Sequence, residues 1–64
     1  MSWDAKSIKK FRKSLGLSQE RFAEMLGITR RYVVYLEAGK YKPSKLLEKA
    51  LDCIKKLKEK EKGQ

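Results

Sequence analysis

Two adjacent arginines and two tyrosines lie close together in one short stretch of the chain. Arg30 and Arg31 come first, and Tyr32 and Tyr35 follow them. A guanidinium group donates paired hydrogen bonds to planar acceptors such as a phosphate group or the edge of guanine, and a tyrosine hydroxyl both donates and accepts. Val34 and Tyr35 are predicted to face mostly outward, as are the two arginines. The stretch therefore predicts a surface that docks against a partner.

Two short helices joined by a tight turn are predicted to position these side chains. Ser18 is a good N-cap for a helix over Gln19–Leu26, and Thr29 for a second helix over Arg30–Ala38. Gly27 lies between them and suits the left-handed backbone of a tight turn. This order of helix, turn and helix is typical of a motif that inserts its second helix into the major groove of DNA.

Further helices are predicted on both sides of this motif. The first covers Asp4 to Leu15, where Trp3 and Ile8 fit a hydrophobic staple. The last begins after Ser44 and is long. Its apolar residues recur at intervals of three or four: Leu46, Leu47, Ala50, Leu51, Ile54 and Leu57. We therefore expect an all-α fold, a compact bundle of four to five helices with a long C-terminal helix.

A chain of 64 residues is expected to form one domain. We assign residues 1–58 to this domain, with the helix-turn-helix motif at residues 18–38. Residues 59–64 are charged and lack apolar anchors, so we expect this C-terminal tail to fray.

The charge of the chain favours an anionic partner. Seventeen lysines and arginines against eight acidic residues give a net charge of +9. Nucleic acid, anionic lipid and an acidic protein all remain open on charge alone. The apolar runs are too short to span a membrane, and the start of the chain lacks the apolar core of a signal peptide. With a single cysteine, we expect a cytoplasmic protein that does not act at a membrane.

The residue types present argue against an enzyme. The chain has no histidine, so the usual zinc clusters are not expected, and it has no convincing pair of nucleophile and base. We therefore predict no catalytic residues, no metal site and no cofactor. Cys53 is interpreted as a small helix residue.

From Ile8 to about Leu51 the chain resembles the Cro/phage-repressor class of helix-turn-helix regulators, the XRE-like family. The matching residues are Arg12, Leu15–Ile28, Thr29, Tyr35–Lys40 and Pro43–Ser44. The resemblance implies a bundle of four or five helices that reads operator DNA, usually as a dimer. We therefore expect a sequence-specific DNA-binding transcriptional regulator, a repressor of an inverted-repeat operator. Its dimer contact is expected on the last helix, through Leu51, Ile54 and Leu57.

The resemblance also implies roles for individual residues. The base-reading positions on the helix Arg30–Ala38 are Arg30, Arg31 and Tyr35. The positions expected at the DNA backbone are Ser18, Gln19, Thr29, Tyr32, Lys40, Tyr41 and Lys42. Arg12 and Glu37 match a partly buried salt bridge between the first and third helices, which we interpret as structural.

Several alternatives stay open. The C-terminal part of the chain resembles the end of short HigA-like antitoxins, which repress their own operon and bind a toxin. The domain could instead be a protein-interaction module, although retention of Arg30 and Arg31 favours DNA. Tyr32 could pack on the preceding helix instead of contacting phosphate. The pair of Arg12 and Glu37 could also be a surface pair of little energetic value.

Overall fold

The computed structural model describes the backbone of residues 3–62 and the side chains of residues 3–59. It contains the helices α1 (Ala5–Ser14), α2 (Gln19–Leu26), α3 (Arg30–Glu37) and α4 (Lys45–Lys62). No strand occurs within residues 3–62. The all-α fold class is confirmed, with one long α4 at the C-terminal side. None of these four helices is both long and apolar enough to cross a membrane.

Each helix is preceded by a residue whose side chain caps it, as predicted for Ser18 and Thr29. The side-chain oxygens of Asp4, Ser18, Thr29 and Ser44 accept a hydrogen bond from the backbone N–H three residues later, at 2.8–3.2 Å. Such a bond satisfies an amide that lacks a partner within the helix, and its loss costs about 1 kcal/mol. Ser7 completes a capping box at α1, because its hydroxyl accepts from the Asp4 backbone N–H.

The turn between α2 and α3 depends on the left-handed backbone of Gly27. Its φ is 74° and its ψ is 30°. The next amide, the N–H of Ile28, donates to the Ala23 carbonyl at 3.0 Å and so closes the end of α2. No atom beyond its neighbours lies within 4 Å of where a Cβ would stand. The need for glycine here is therefore one of backbone conformation and not of space.

Every helix contributes to a single core. Its buried side chains are Ile8, Phe22, Ala23, Val33, Leu36, Leu47 and Leu51. Phe22 is completely buried, a contribution of about 2–3 kcal/mol relative to an exposed ring. Phe11 adds an edge-on contact to it, with the ring centroids 6.3 Å apart. The packing of α3 against α2 thus holds the turn and both helices at a fixed angle.

Trp3 attaches the start of the chain to α4, a contact that the sequence pattern did not predict. Its indole Nε1 donates to Asp52 Oδ1 at 2.8 Å, and its backbone N donates to Glu48 Oε2 at 3.2 Å. Its ring also lies 5.2 Å from that of Phe11 and 5.8 Å from the ammonium of Lys55. Trp3 therefore links α1 to α4.

The apolar stripe of α4 does not lie entirely in the core. Leu47 and Leu51 are buried, whereas Leu46 is 79% exposed and Leu57 is 60% exposed. The stripe is wider than the single face that the core can cover, so part of it faces solvent. Leu51 cannot make the expected dimer contact, because its side chain is fully buried. The expected contacts of Ile54, which is half-buried, and Leu57 stay predictions.

The helical backbone of α4 continues to Lys62 and so includes residues 59–62, which we expected to fray. Residues 63 and 64 lie outside the described residues. The domain boundary at residue 58 stays a prediction.

Candidate nucleic-acid interface

The orientation of α3 is determined by its buried face. Val33 and Leu36 are three residues apart on the helix, and both are buried in the core. Arg30 and Arg31, in the first turn, are exposed. Among the side chains of residues 3–59, no carboxylate lies within ion-pair distance of either arginine. Both guanidinium groups are therefore free to bind an acceptor outside the protein.

Tyr35 lies one helical turn beyond Arg31, on the same side of α3. We expected Tyr35 and Val34 to be exposed, but both are half-buried. The reason at Tyr35 is the loop after α3, which folds back against the helix. The ring of Tyr41 meets that of Tyr35 edge-on, with the centroids 5.4 Å apart. The ammonium of Lys40 lies 4.7 Å from the centroid of the Tyr35 ring.

The loop residues Lys40, Tyr41 and Lys42 are exposed beside α3. Tyr32 is half-buried, packs against the core, and has its ring centroid 6.2 Å from that of Tyr41. The loop thus joins the outer face of α3 through aromatic contacts. Two lysines and a tyrosine are brought next to the predicted base-reading positions.

The starts of α2 and α3 carry the other residues expected at a DNA backbone. The hydroxyl oxygens of Ser18 and Thr29 accept the backbone N–H of Arg21 and Tyr32. Each hydroxyl hydrogen remains a donor for a further acceptor. The free amides of the first turns add partial positive charge at these helix starts, which favours anions.

Glu37 connects three parts of the fold through one carboxylate. Arg12 Nε donates to Glu37 Oε2 at 2.6 Å, and Arg12 Nη2 donates to Oε1 at 3.1 Å. The two side chains are 12% and 4% exposed. Arg12 Nη1 also donates to the Leu17 carbonyl at 2.9 Å. The pair is therefore largely buried and links α1, α3 and the connection before α2.

Gln19 joins the same network, which the sequence did not indicate. Its Nε2 donates to Glu37 Oε1 at 3.2 Å, and the side chain is half-buried. The contact with Glu37 fixes the side chain that is expected to clamp phosphate, and the second hydrogen of its Nε2 remains available to donate to a phosphate oxygen. No local pattern shows this contact, because the two residues come together only when α2 packs on α3.

A comparison with protein families agrees with this architecture. The family model described as helix-turn-helix matches residues 8–53, which include most of α1, all of α2 and α3, and the first half of α4. The chain belongs to the Cro/C1-type helix-turn-helix family.

Relatives of this helix-turn-helix protein occur in archaea and bacteria. The chain is 50% identical over 40 residues to an uncharacterized HTH-type transcriptional regulator of Methanothermobacter thermautotrophicus, a match over 62% of this chain and 58% of the relative. One from Archaeoglobus fulgidus is 46% identical over 37 residues, covering 58% of this chain and 53% of the relative. The uncharacterized regulator YgzD of Bacillus subtilis is 45% identical over 40 residues, covering 62% of this chain and 61% of the relative. No solved structure matches the chain.

The chain spans somewhat more than half the length of the curated relatives that it matches. The relatives are named HTH-type transcriptional regulators, and the chain shares the helix-turn-helix domain of the family. Within the described residues, no group of three or more His, Cys, Asp or Glu side chains is placed to hold a metal ion.

Proposed function

We propose that this helix-turn-helix protein is a sequence-specific transcriptional regulator that reads the major groove of double-stranded DNA with α3. The observation that carries this proposal is the exposure of Arg30 and Arg31 on a helix whose opposite face forms the core. Because Val33 and Leu36 are packed in the core, α3 can enter a groove without changing its orientation in the protein. The arginines then meet base edges while the core stays intact.

Arg30, Arg31 and Tyr35 are the proposed base-reading residues. A guanidinium group can donate two hydrogen bonds to O6 and N7 of guanine, which is worth about 1–3 kcal/mol of discrimination against another base. The Tyr35 hydroxyl can donate or accept at a base edge, and its ring can contact a thymine methyl group.

The surrounding residues are proposed to hold the DNA backbone. They are Ser18, Gln19, Thr29, Tyr32, Lys40, Tyr41 and Lys42. Hydroxyl groups, amides, lysines and helix starts are the donors that proteins use for phosphate oxygens. With a net charge of +9, we expect affinity to fall steeply as salt concentration rises, because neutralised phosphates release counterions.

A homodimer through α4 is proposed on the part of the apolar stripe that the core leaves uncovered. We call this surface the outer stripe; it consists of Leu46, Ala50 and Leu57 of the apolar stripe together with the exposed Cys53, which lies on the same face. Its members recur at intervals of four, three and four residues, so they share one face of α4. Pairing of two such faces removes exposed leucines from water. A twofold dimer would then present two copies of α3 to an inverted-repeat operator, about 34 Å apart.

Repression of transcription and a cytoplasmic location belong to the same proposal. A small domain seated in the major groove blocks access to the bound DNA by occupancy alone. The toxin partner of the antitoxin alternative stays a prediction from the sequence.

Selection of bound duplexes from a random DNA library, at two salt concentrations, tests the proposal. We expect enrichment of an inverted repeat, and weaker binding at the higher salt. An enriched single half-site would support base reading and contradict the dimer. Binding without enrichment would contradict sequence-specific reading. The matched variants are Arg30→Ala with Arg31→Ala, which should abolish enrichment, and Lys9→Ala with Lys13→Ala, which removes the same charge from α1 and should preserve it.

A further inference from the structure

Tyr41 is an exposed aromatic residue in a loop, yet its ring contacts two other aromatic rings. It is 48% exposed. Its ring centroid lies 5.4 Å from that of Tyr35, at an interplanar angle of 79°, and 6.2 Å from that of Tyr32, at 47°. Both distances fall in the range of favourable aromatic pairs. Tyr41 therefore bridges two tyrosines that lie almost one turn apart on α3.

Lys40, the residue before Tyr41, also contacts Tyr35. Its backbone N–H donates to the Tyr35 carbonyl at 2.9 Å, which ties the loop to the end of α3. Its ammonium lies 4.7 Å from the centroid of the Tyr35 ring, within the range of a cation–π contact. Two consecutive loop residues thus contact Tyr35, one at the ring face through a cation and one through an aromatic ring.

These contacts limit the orientations that the Tyr35 ring can adopt before any DNA is present. A side chain that is already ordered loses less conformational entropy when it binds. Tyr35 is half-buried, so part of it remains accessible to a partner. Without Tyr41, the Tyr35 ring would lose one of its two neighbours in the loop and would gain rotational freedom.

We propose that Tyr41 is a specificity-determining positioning residue that acts on base recognition through Tyr35. This inference rests on the proposed function, namely that α3 reads base pairs. It goes beyond the contact with the DNA backbone that the proposed function gives Tyr41. A backbone contact strengthens binding to every sequence alike, whereas a positioning contact matters at the base pairs that Tyr35 reads.

The inference is tested with Tyr41→Ala and Tyr41→Phe, each alone and in a Tyr35→Ala background. Binding is measured for the best selected site and for each single base-pair change within it. In Tyr41→Ala we expect discrimination to fall about two- to tenfold at the one or two base pairs read by Tyr35, the range of an aromatic pair. Tyr41→Phe keeps the ring and should retain discrimination. In the Tyr35→Ala background, Tyr41→Ala should cause no further loss.

A measurement on the free protein supplies an independent readout. The ring protons of Tyr35 experience the ring current of Tyr41, so their NMR shifts should change in Tyr41→Ala and persist in Tyr41→Phe. Unchanged Tyr35 shifts in Tyr41→Ala would overturn the inference.

The binding data distinguish the remaining outcomes. An even loss of affinity across all sequences in Tyr41→Ala would show a backbone contact and overturn the positioning role alone. A wild-type protein with no base preference would overturn the proposed function and this inference together. Equal losses of discrimination with and without Tyr35 would show that Tyr41 does not act through that residue.

Discussion

Among single side chains, the arginines of α3 and the lysines of the following loop differ in what they can recognise. Arg31 presents a planar fork of donors that can match a base edge, whereas Lys42 presents a compact charge on a flexible stem. Both are exposed. The different roles proposed for them therefore rest on geometry more than on charge.

Replacement of Arg31 by alanine should relax sequence preference. We expect a loss of about 1–3 kcal/mol on the best site and a smaller loss on sites that lack the matching guanine. Lys42→Ala is the matched control, because it removes one charge and should weaken all sequences alike while reducing the salt dependence. Titration of both variants against the best site and its single-base variants measures this. An even loss across sequences in both variants would mean that Arg31 does not read bases.

Glu37 differs from these residues because its role is internal. It is almost fully buried and receives hydrogen bonds from Arg12 and Gln19. The sequence resemblance implied its pairing with Arg12. The contact with Gln19 could not be predicted, because nothing in either local sequence records which residue of α2 lies opposite α3.

Replacement of Glu37 by alanine should lower the free energy of unfolding by about 3 kcal/mol, because a buried guanidinium group loses its carboxylate. Glu24→Ala removes an exposed acidic residue and should change stability by no more than about 0.5 kcal/mol. Urea unfolding followed by circular dichroism measures both. Equal stability of the two variants would show that the buried pair contributes little.

Among the helices, the ends were predicted most accurately, because a cap is a local arrangement. Ser18, Gly27 and Thr29 mark the ends of α2 and α3 in the sequence, and the structure uses them at those places. Each of these ends needs only a hydrogen bond between residues three apart or a left-handed backbone at one glycine. The faces of α4 were harder to predict, since the same apolar pattern contains both Leu51, which is buried, and Leu46, which is exposed.

The capping of α1 should make stability depend on pH. Hydrogen bonds from the Ser7 backbone N–H, and then from the Ser7 hydroxyl, hold the pKa of the Asp4 carboxyl below its ordinary value of 3.8. A lowered pKa in the folded state stabilises the protein above the unfolded pKa, and this stabilisation is lost as the pH falls through the folded pKa.

Comparison of the wild type with Asp4→Asn measures this effect, because asparagine also caps helices but does not titrate. We expect the wild type to be the more stable at pH 6, and the difference to shrink as the pH falls below about 4. A difference that stays constant from pH 6 to pH 2 would contradict the role of the Asp4 charge.

For the entire domain, the outer stripe of α4 is the feature that a single copy leaves unexplained. Among the side chains of residues 3–59, the buried core covers one face of α4, and Leu46 and Leu57 remain largely exposed beside it. Contact with a second copy would bury them without disturbing the core.

Replacement of Leu57 by serine should therefore weaken self-association, whereas Lys56→Ser should not, because Lys56 lies off the stripe. Sedimentation over a range of protein concentrations measures the shift between monomer and dimer. We expect the wild type and Lys56→Ser to dimerise at lower concentration than Leu57→Ser. A wild type that stays monomeric at every concentration would refute the dimer. Dimerisation of all three proteins at the same concentration would show that the dimer contact does not use the outer stripe.

The helices, their caps and the turn at Gly27 could be predicted from the sequence, because they depend on residues close together in the chain. The net positive charge and the arginines at the start of α3 can also be read there. The packed fold was needed to show which distant residues meet: Trp3 with α4, Gln19 with Glu37, and Tyr41 with Tyr35. Such contacts depend on the angles at which packed helices cross and on the path of the loop after α3. Local periodicity carries no information about either.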